Sequence, residues 1–191
     1  MSHSYWQRGL GPYHGRVIDA ETKRPIAGAA VLAVWWERSP GIVNVNISYY
    51  DAQETLTDVD GNYTIPGIVI TSIDPNVTIE PKFTIYKPRY KALRQSTLKP
   101  LPQPPGTPDK YRIQYPFHEE GGHTVVKLAP LKTPKERMDN VSGILPITCR
   151  PGDISQFCVP HEKYPNLLKL VNEEELALGL GPSGPVKRSK P

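Results

Sequence analysis

The chain has 191 residues and a formal net charge of +4, and it contains 38% hydrophobic residues, 22 prolines and 15 glycines. This length fits one domain with appendages or two small domains. The low apolar content and the many prolines and glycines predict one compact core with long irregular segments. No apolar run approaches the roughly 20 residues that a membrane-spanning helix needs, so no transmembrane segment is predicted.

Basic residues are concentrated in two places and scattered elsewhere. They are Lys82, Lys87, Arg89, Lys91 and Arg94 in the middle of the chain, and Lys187, Arg188 and Lys190 near its end. A basic patch can bind nucleic acid or an anionic surface, but few aromatic residues interleave with these charges in a way that would stack bases. We therefore interpret both groups as ordinary solvated surface and predict no nucleic-acid partner.

Residues 1–12 read as an irregular lead-in that contains Tyr5 and Trp6. These two side chains either pack locally on the domain, which we favour, or anchor the segment on a neighbouring molecule. The lead-in lacks the apolar stretch of a signal peptide, which indicates either a cytosolic protein or an export signal that is not part of this chain. Residues 13–19 then predict the first strand.

Residues 29–36 form an unbroken apolar run that predicts a strand buried on both faces, because its length and its β-branched and aromatic content do not suit a helix. Trp35 and Trp36 should point to opposite faces, since side chains alternate along a strand. The alternation over residues 43–56 predicts a half-exposed strand.

A tight turn is predicted next, at Asp58, Asp60, Gly61 and Asn62. Asp and Asn cap their own backbone and tolerate left-handed conformations, and Gly supplies a positive φ without steric cost. The same oxygen-bearing residues have the spacing of a calcium loop, but the twelfth position counted from the first Asp is Val69, where calcium needs Glu. We therefore interpret the segment as a turn without a metal.

Further strands are predicted at residues 78–86, 111–115 and 123–128. The intervening residues 98–109 hold five prolines in twelve and predict an extended surface loop.

His118 and His123 flank two glutamates and two glycines. The zinc-protease motif places two histidines four apart on a helix, whereas these are five apart with Gly-Gly between them. A polar turn is the favoured interpretation, although a hairpin could still bring the two histidines together. A metal-dependent hydrolase built on them is the least favoured functional hypothesis.

The C-terminal part is predicted as a separate arm. Residues 131–162 read as an irregular segment with a short helix after Thr133, residues 163–180 as an amphipathic helix, and residues 181–191 as a disordered basic tail. The apolar positions of the amphipathic helix include Leu167, Leu168 and Val171.

Four segments carry a resemblance to a known family. They are Gly15-Arg16-Val17-Ile18-Asp19, Pro25-Ile26-Ala27-Gly28-Ala29-Ala30-Val31, Thr57-Asp58-Val59-Asp60-Gly61-Asn62-Tyr63 and Lys87-Pro88-Arg89-Tyr90. Over residues 13–130 the chain resembles the carboxypeptidase regulatory-like domain family, whose members are transthyretin-like β-sandwiches. That family usually has Gly where this chain has Arg89.

The resemblance implies a mainly β, antiparallel Greek-key sandwich of seven or so strands, followed by the irregular arm that ends in a short amphipathic helix. It implies no catalytic machinery in this domain and usually an exported location, and we predict no cofactor. Some bacterial members with a Trp-Trp pair and a C-terminal helix are small stand-alone envelope proteins or lipoproteins, so an export segment would have preceded Met1.

Cys149 and Cys158 are the two cysteines of the chain. In an exported protein such a pair suggests one disulfide, and we favour it because the resemblance implies export. Two free thiols, or a metal-binding pair with His161, are the alternatives.

These observations favour a non-catalytic, extracytoplasmic β-sandwich that acts in structure, assembly or protein interaction. About 60 residues lie outside the domain, and we expect them to be too poor in apolar groups for a core of their own. Either the leucine-bearing helix of residues 163–180 docks in a partner's groove, or the lead-in with Tyr5 and Trp6 adds to a neighbour's sheet edge.

The alternative is a domain that binds carbohydrate or another surface ligand. Its stacking platform would consist of Trp35, Trp36, Tyr49 and Tyr50.

Overall fold

The computed structural model describes residues 6–41, 44–72, 77–100, 102–105, 108, 113–149 and 157–183. Within those ranges the chain forms ten strands and two α-helices. The strands are β1 Trp6–Leu10, β2 Tyr13–Asp19, β3 Ala30–Pro40, β4 Val45–Leu56, β5 Asn62–Ile65, β6 Ile68–Ser72, β7 Thr78–Tyr86, β8 Leu93–Ser96, β9 Phe117–Glu120 and β10 His123–Leu128. The helices are α1 Pro134–Val141 and α2 Pro165–Ala177.

Eight of these strands make two four-stranded sheets. Sheet I has the order β5-β2-β10-β9, sheet II has the order β4-β3-β7-β8, and β1 and β6 form a separate two-stranded ribbon. Neighbouring strands are antiparallel except β2 and β10, which are parallel. The predicted mainly β sandwich is therefore confirmed, with more strands than the seven or so expected and with one parallel pair.

Sheets I and II face each other across one apolar core. Sheet I contributes Val17, Tyr63, Ile65, Phe117, Val126 and Leu128, and sheet II contributes Val31, Ala33, Trp35, Phe83, Ile85 and Leu93. Trp35 is fully buried in this core, while Trp36 packs on the other side of sheet II. The two tryptophans thus lie on opposite faces, as alternation along the strand predicts.

The C-terminal arm covers the outer face of sheet II and builds a second core there. The arm contributes Val141, Ile144, Val159, Tyr164, Leu167 and Val171, and sheet II contributes Ala30, Leu32, Val34, Ala52 and Tyr86. The arm does not form this core alone, because the outer face of the sheet supplies about half of its buried apolar residues. β3 is therefore buried on both faces, as its apolar run predicted.

A buried ion pair joins the two helices of the arm. Arg137 donates from Nε and Nη2 to the two carboxylate oxygens of Glu174, at 2.7 and 2.8 Å. The Glu174 carboxylate, only 4% exposed, also accepts the backbone N–H of Arg89 at 3.3 Å. The guanidinium keeps the pKa of Glu174 below its ordinary value. This pair therefore ties both helices to the turn that follows β7.

α2 receives its N-terminal cap from sheet II. Its N-cap residue, Tyr164, makes no side-chain capping bond. Instead, the two carboxylate oxygens of Glu54 in β4 accept the backbone N–H groups of Asn166 and Leu167, at 2.8 and 2.6 Å. Burial raises the pKa of Glu54, and these two bonds oppose the rise. The cap satisfies amides that a helix start leaves free and fixes where the helix begins on the sheet.

α1 has the local cap that its sequence predicts. Thr133 accepts the backbone N–H of Glu136, and the Glu136 carboxylate accepts the backbone N–H of Thr133, at 3.2 and 2.9 Å.

The predicted disulfide between Cys149 and Cys158 is also present, so the interpretations as free thiols or as a metal pair were wrong.

Several expectations about the strands were wrong. Residues 6–10, expected as irregular, form β1, and β6, β8 and β9 were not predicted. The described part of the predicted strand at 111–115, residues 113–115, has no strand structure. The predicted strands at 78–86 and 123–128 are confirmed as β7 and β10.

The turn after β7 takes a conformation that suits glycine. The N–H of Tyr90 bonds to the carbonyl of Lys87 at 3.1 Å, Pro88 occupies the second position, and Arg89 has φ +69° at the third. A positive φ at the third position is the requirement of a type II turn, which normally places Gly there. The turn therefore forms with a non-glycine residue in a left-handed conformation.

We predict that Arg89→Gly is more stable than Arg89→Ala by about 1 kcal/mol, because a Cβ at positive φ is strained and Gly has none. Both variants lose the same side chain, so their difference isolates the backbone. Urea unfolding measures it, and equal stabilities would show that the turn stores no such strain.

We predict that Glu174→Ala lowers the free energy of unfolding by about 3 kcal/mol, because it leaves the largely buried Arg137 guanidinium without its partner. Glu173→Ala, at an exposed neighbouring position, is the matched control and should change stability little.

The pKa of Glu174 is lowered in the folded state. The ionised Glu174 side chain therefore contributes fully to the free energy of unfolding above the pKa that this group has in the unfolded chain. The gap between wild type and Glu174→Gln should therefore narrow as pH falls through the folded-state pKa. A gap that widens on acidification contradicts this account.

Candidate functional site at the distal ribbon

The predicted turn between β4 and β5 is confirmed in its geometry. Asp58 Oδ1 accepts the backbone N–H groups of Asp60 and Asn62, at 2.9 and 2.8 Å, and the bond from Asn62 is the main reason that the Asp58 pKa is lowered. Gly61 has φ +77°, and a Cβ there would lie 2.5 Å from the carbonyl oxygen of Val17. The turn therefore serves to pack β5 closely against β2.

The four aromatic residues considered as a stacking platform do not share a face. Trp35 and Tyr50 belong to the core between the sheets, whereas Trp36 and Tyr49 pack against the arm. The register of β3 and β4 shifts at this point, pairing Trp35 with Asp51 and Trp36 with Tyr49. The four-residue platform was therefore wrong.

The remaining aromatic pair is also not a flat surface. The rings of Trp36 and Tyr49 meet edge to face with centroids 6.3 Å apart. Burial raises the pKa of Tyr49 to about 12. The edge of one ring thus meets the face of the other, and the pair fills space beside the arm.

The helix residues considered for partner contact are mostly inside the molecule. Leu167 and Val171 are 0% and 1% exposed, so they cannot contact a partner in this conformation and that prediction was wrong. Leu168 is half-buried at the edge of the same core. These side chains are buried because they cover the outer face of sheet II.

The N-terminal lead-in pairs with its own chain. β1 lies antiparallel to β6 from Trp6 opposite Ser72 to Leu10 opposite Ile68, and the ribbon extends the β2–β5 pair beyond its last partners. Residues 6–10 therefore form a strand of their own domain, where an irregular lead-in was expected. Tyr5 and the side chain of Trp6 lie outside what the structure describes.

A side-chain amide holds the base of the ribbon against sheet II. Gln53 Nε2 donates to the carbonyl of Gly67 at 2.8 Å, and Gln53 Oε1 accepts the Gly67 N–H at 3.2 Å. Gly67 has φ +94°, and a Cβ there would lie 2.2 Å from the carbonyl oxygen of Leu10. Leu10 and Ile68 pack on the core between the sheets. The ribbon is thus anchored at its base.

The far end of the molecule exposes apolar strand residues. We call residues 6–10, 37–40, 45–48 and 68–72 the distal surface, since they extend beyond the core. Val45 and Val69 on this surface are 61% and 66% exposed. Among the residues that the structure describes, β1 and β6 have no strand partner other than each other. The ribbon therefore presents two strand edges and the exposed Val69.

The sequence of β6 makes its edge unusual. It reads Ile-Val-Ile-Thr-Ser and carries no charge. Natural proteins usually protect edge strands with charged residues, Pro or bulges, because an unprotected edge pairs with other chains. This run of β-branched residues is the signal that could have identified the strand from the sequence, and it marks the edge as suited to pairing.

The favoured polar turn at Gly121 and Gly122 lies at the tip of a hairpin between β9 and β10, in which His118 is opposite Val125 and His123 is opposite Glu120. His118 Nε2 contacts Glu120 Oε2 at 3.3 Å. Across the described ranges, no three His, Cys, Asp or Glu side chains are placed to hold a metal ion, and the helices found there include none that could cross a membrane.

Comparison of the chain with protein-family models, with curated proteins and with solved structures finds no significant match in any of the three.

We predict that Gln53→Ala loosens the ribbon while leaving the sandwich folded, because it removes both bonds to Gly67. Hydrogen exchange of the β1 and β6 amides should become at least several-fold faster, and exchange in β3 and β7 should not change. Thr55→Ala, two residues further along β4, is the control. Unchanged exchange in the ribbon would show that Gln53 does not anchor it.

Proposed function

We propose that this protein is a non-catalytic, extracytoplasmic β-sandwich of the carboxypeptidase regulatory-like type that assembles with further copies of itself. Association takes place through strand pairing at the distal surface. The observation that carries the proposal is the uncharged edge of β6, beside an exposed Val69.

The chemistry of an open edge supports strand addition. Its unpaired backbone N–H and C=O groups bond to an added strand, and alternate side chains set the fit. β-branched residues favour the extended conformation that pairing requires. Arg8 is the charged residue of β1, so β1 offers only one charge against an incoming strand. These features favour another strand as the ligand.

The ribbon also favours an open assembly over a closed pair. Its two edges belong to different strands, β1 and β6, so the β1 edge of one copy can add to the β6 edge of the next. Such a head-to-tail contact uses two different surfaces and propagates unless the rotation closes a ring. Filaments or rings are therefore the forms of assembly that this geometry supports.

The extracytoplasmic location is supported by the disulfide between Cys149 and Cys158. Disulfides form and persist in secreted, periplasmic and cell-surface proteins and are rare in reducing compartments. The resemblance of residues 13–130 to an exported family points in the same direction.

We predict that Val69→Lys prevents association, because a charge on the edge opposes pairing with a second copy. Val45→Lys should weaken it, since this residue lies on the same surface. Val59→Lys is the matched control, because Val59 is 82% exposed but lies in the turn before β5, away from the ribbon.

Sedimentation velocity over a concentration series measures the result. Wild type and the Val59 variant should gain mass with concentration, while the Val69 variant stays monomeric. Electron microscopy of the protein from its native source, without reduction, gives the form of the assembly. A wild-type monomer in both measurements would reject the proposal.

A further inference from the structure

Histidines from distant parts of the sequence meet on the outer face of sheet I. The parallel register pairs Gly15 of β2 with Thr124 of β10, which places His14 beside His123. Their rings meet edge to face with centroids 6.3 Å apart, and both residues are exposed. This pair is independent of the distal surface.

A neighbouring hydroxyl orients the first of these rings. His14 Nδ1 lies 3.0 Å from Thr64 Oγ1 in β5. When Nδ1–H donates to the hydroxyl, Nε2 keeps its lone pair free. Histidines that bind metals characteristically donate their other ring N–H to an oxygen in this way, which fixes both the tautomer and the ring orientation.

A carboxylate lies on the other side of the pair. Glu120 of β9 is opposite His123 in the antiparallel ladder, and directly opposed residues share a face of the sheet. The row His14, His123 and Glu120 thus crosses three adjacent strands. Glu120 also contacts His118, so negative charge is available beside the two imidazoles.

We propose that His14 and His123 bind one divalent transition-metal cation between them, of the kind represented by Zn²⁺, Ni²⁺ and Cu²⁺. Two imidazoles that bind one Zn²⁺ through nitrogens about 2.0–2.1 Å from the ion place their ring centroids roughly 5–6 Å apart. The observed separation needs only a small rotation of two exposed side chains. Water fills the remaining positions, since no third protein ligand converges there within the described residues.

The donor set also predicts selectivity. Imidazole nitrogen suits Zn²⁺, Ni²⁺ and Cu²⁺, whereas Ca²⁺ and Mg²⁺ require oxygen ligands. The site should therefore discriminate between these two groups of cations.

Isothermal titration of untagged protein with Zn²⁺ tests the proposal. Wild type should bind one ion, and His14→Asn and His123→Asn should each bind it at least tenfold more weakly. His161→Asn is the matched control and should leave the affinity unchanged, because that histidine lies on the arm, in the 3₁₀-helix His161–Lys163. Titration with Ca²⁺ should give no binding. Thermal unfolding with a chelator present checks that each variant folds as wild type does.

Two results would overturn the proposal. One is a wild type that gives no Zn²⁺ binding, and the other is a double variant, His14→Asn with His123→Asn, that binds as wild type does. Sub-stoichiometric Cu²⁺ gives an independent readout, since its paramagnetism should broaden the NMR signals of His14 and His123 before those of His161. Broadening of His161 first would equally reject the assignment.

Discussion

The burial of β3 on both faces is the constraint on which the rest of the structure depends. A strand with apolar side chains at every position must be covered twice. Val31 and Ala33 point into the core against sheet I, and Leu32 and Val34 point the other way. Without the arm, the second row would be an exposed apolar stripe along sheet II. The arm is therefore part of the folded unit, and it completes the burial that the central strand requires.

Polar contacts decide where the arm lies on this apolar face. Apolar burial is not directional, so it would allow α2 to slide along sheet II. Hydrogen bonds are directional, so α2 can lie in only one position if it is to keep both the Glu54 cap and the Arg137–Glu174 pair. A buried ion pair adds little stability over an apolar substitute but can add specificity. We infer that these groups set the register of the arm.

The sequence predicts those elements whose evidence is local. Alternation predicts β7 and β10, and a Thr-Pro-Glu pattern predicts α1. The Asp, Asn and Gly residues from Asp58 to Asn62 predict a turn, because the last ligand of a calcium loop is missing. Strands that form only because a segment far away in the sequence pairs with them were not predicted. β1 contains Gly and Arg and is a strand because β6 pairs with it.

The same limit applies to the candidate sites. Leu167 and Val171 read as free helix residues because sequence spacing does not show which surface a helix covers. His14 and His123 are neighbours only through the parallel pairing of β2 and β10, and no short-range pattern predicts that pairing. The uncharged run in β6 was visible in the sequence, but its meaning depends on the strand being at an edge.

The coverage of the two sheets also limits how copies of this protein can meet. The arm occupies the outer face of sheet II, so no second molecule can stack there without displacing it. The outer face of sheet I carries polar and charged side chains, among them His14, Arg16, Lys127 and Glu120, and stacking two such faces would cost the hydration of these groups. Strand edges remain as candidate surfaces, and among the described strands β6 presents an uncharged edge with an exposed Val69. The proposed association through edges fits this coverage of the two faces, which the burial of β3 on both sides requires.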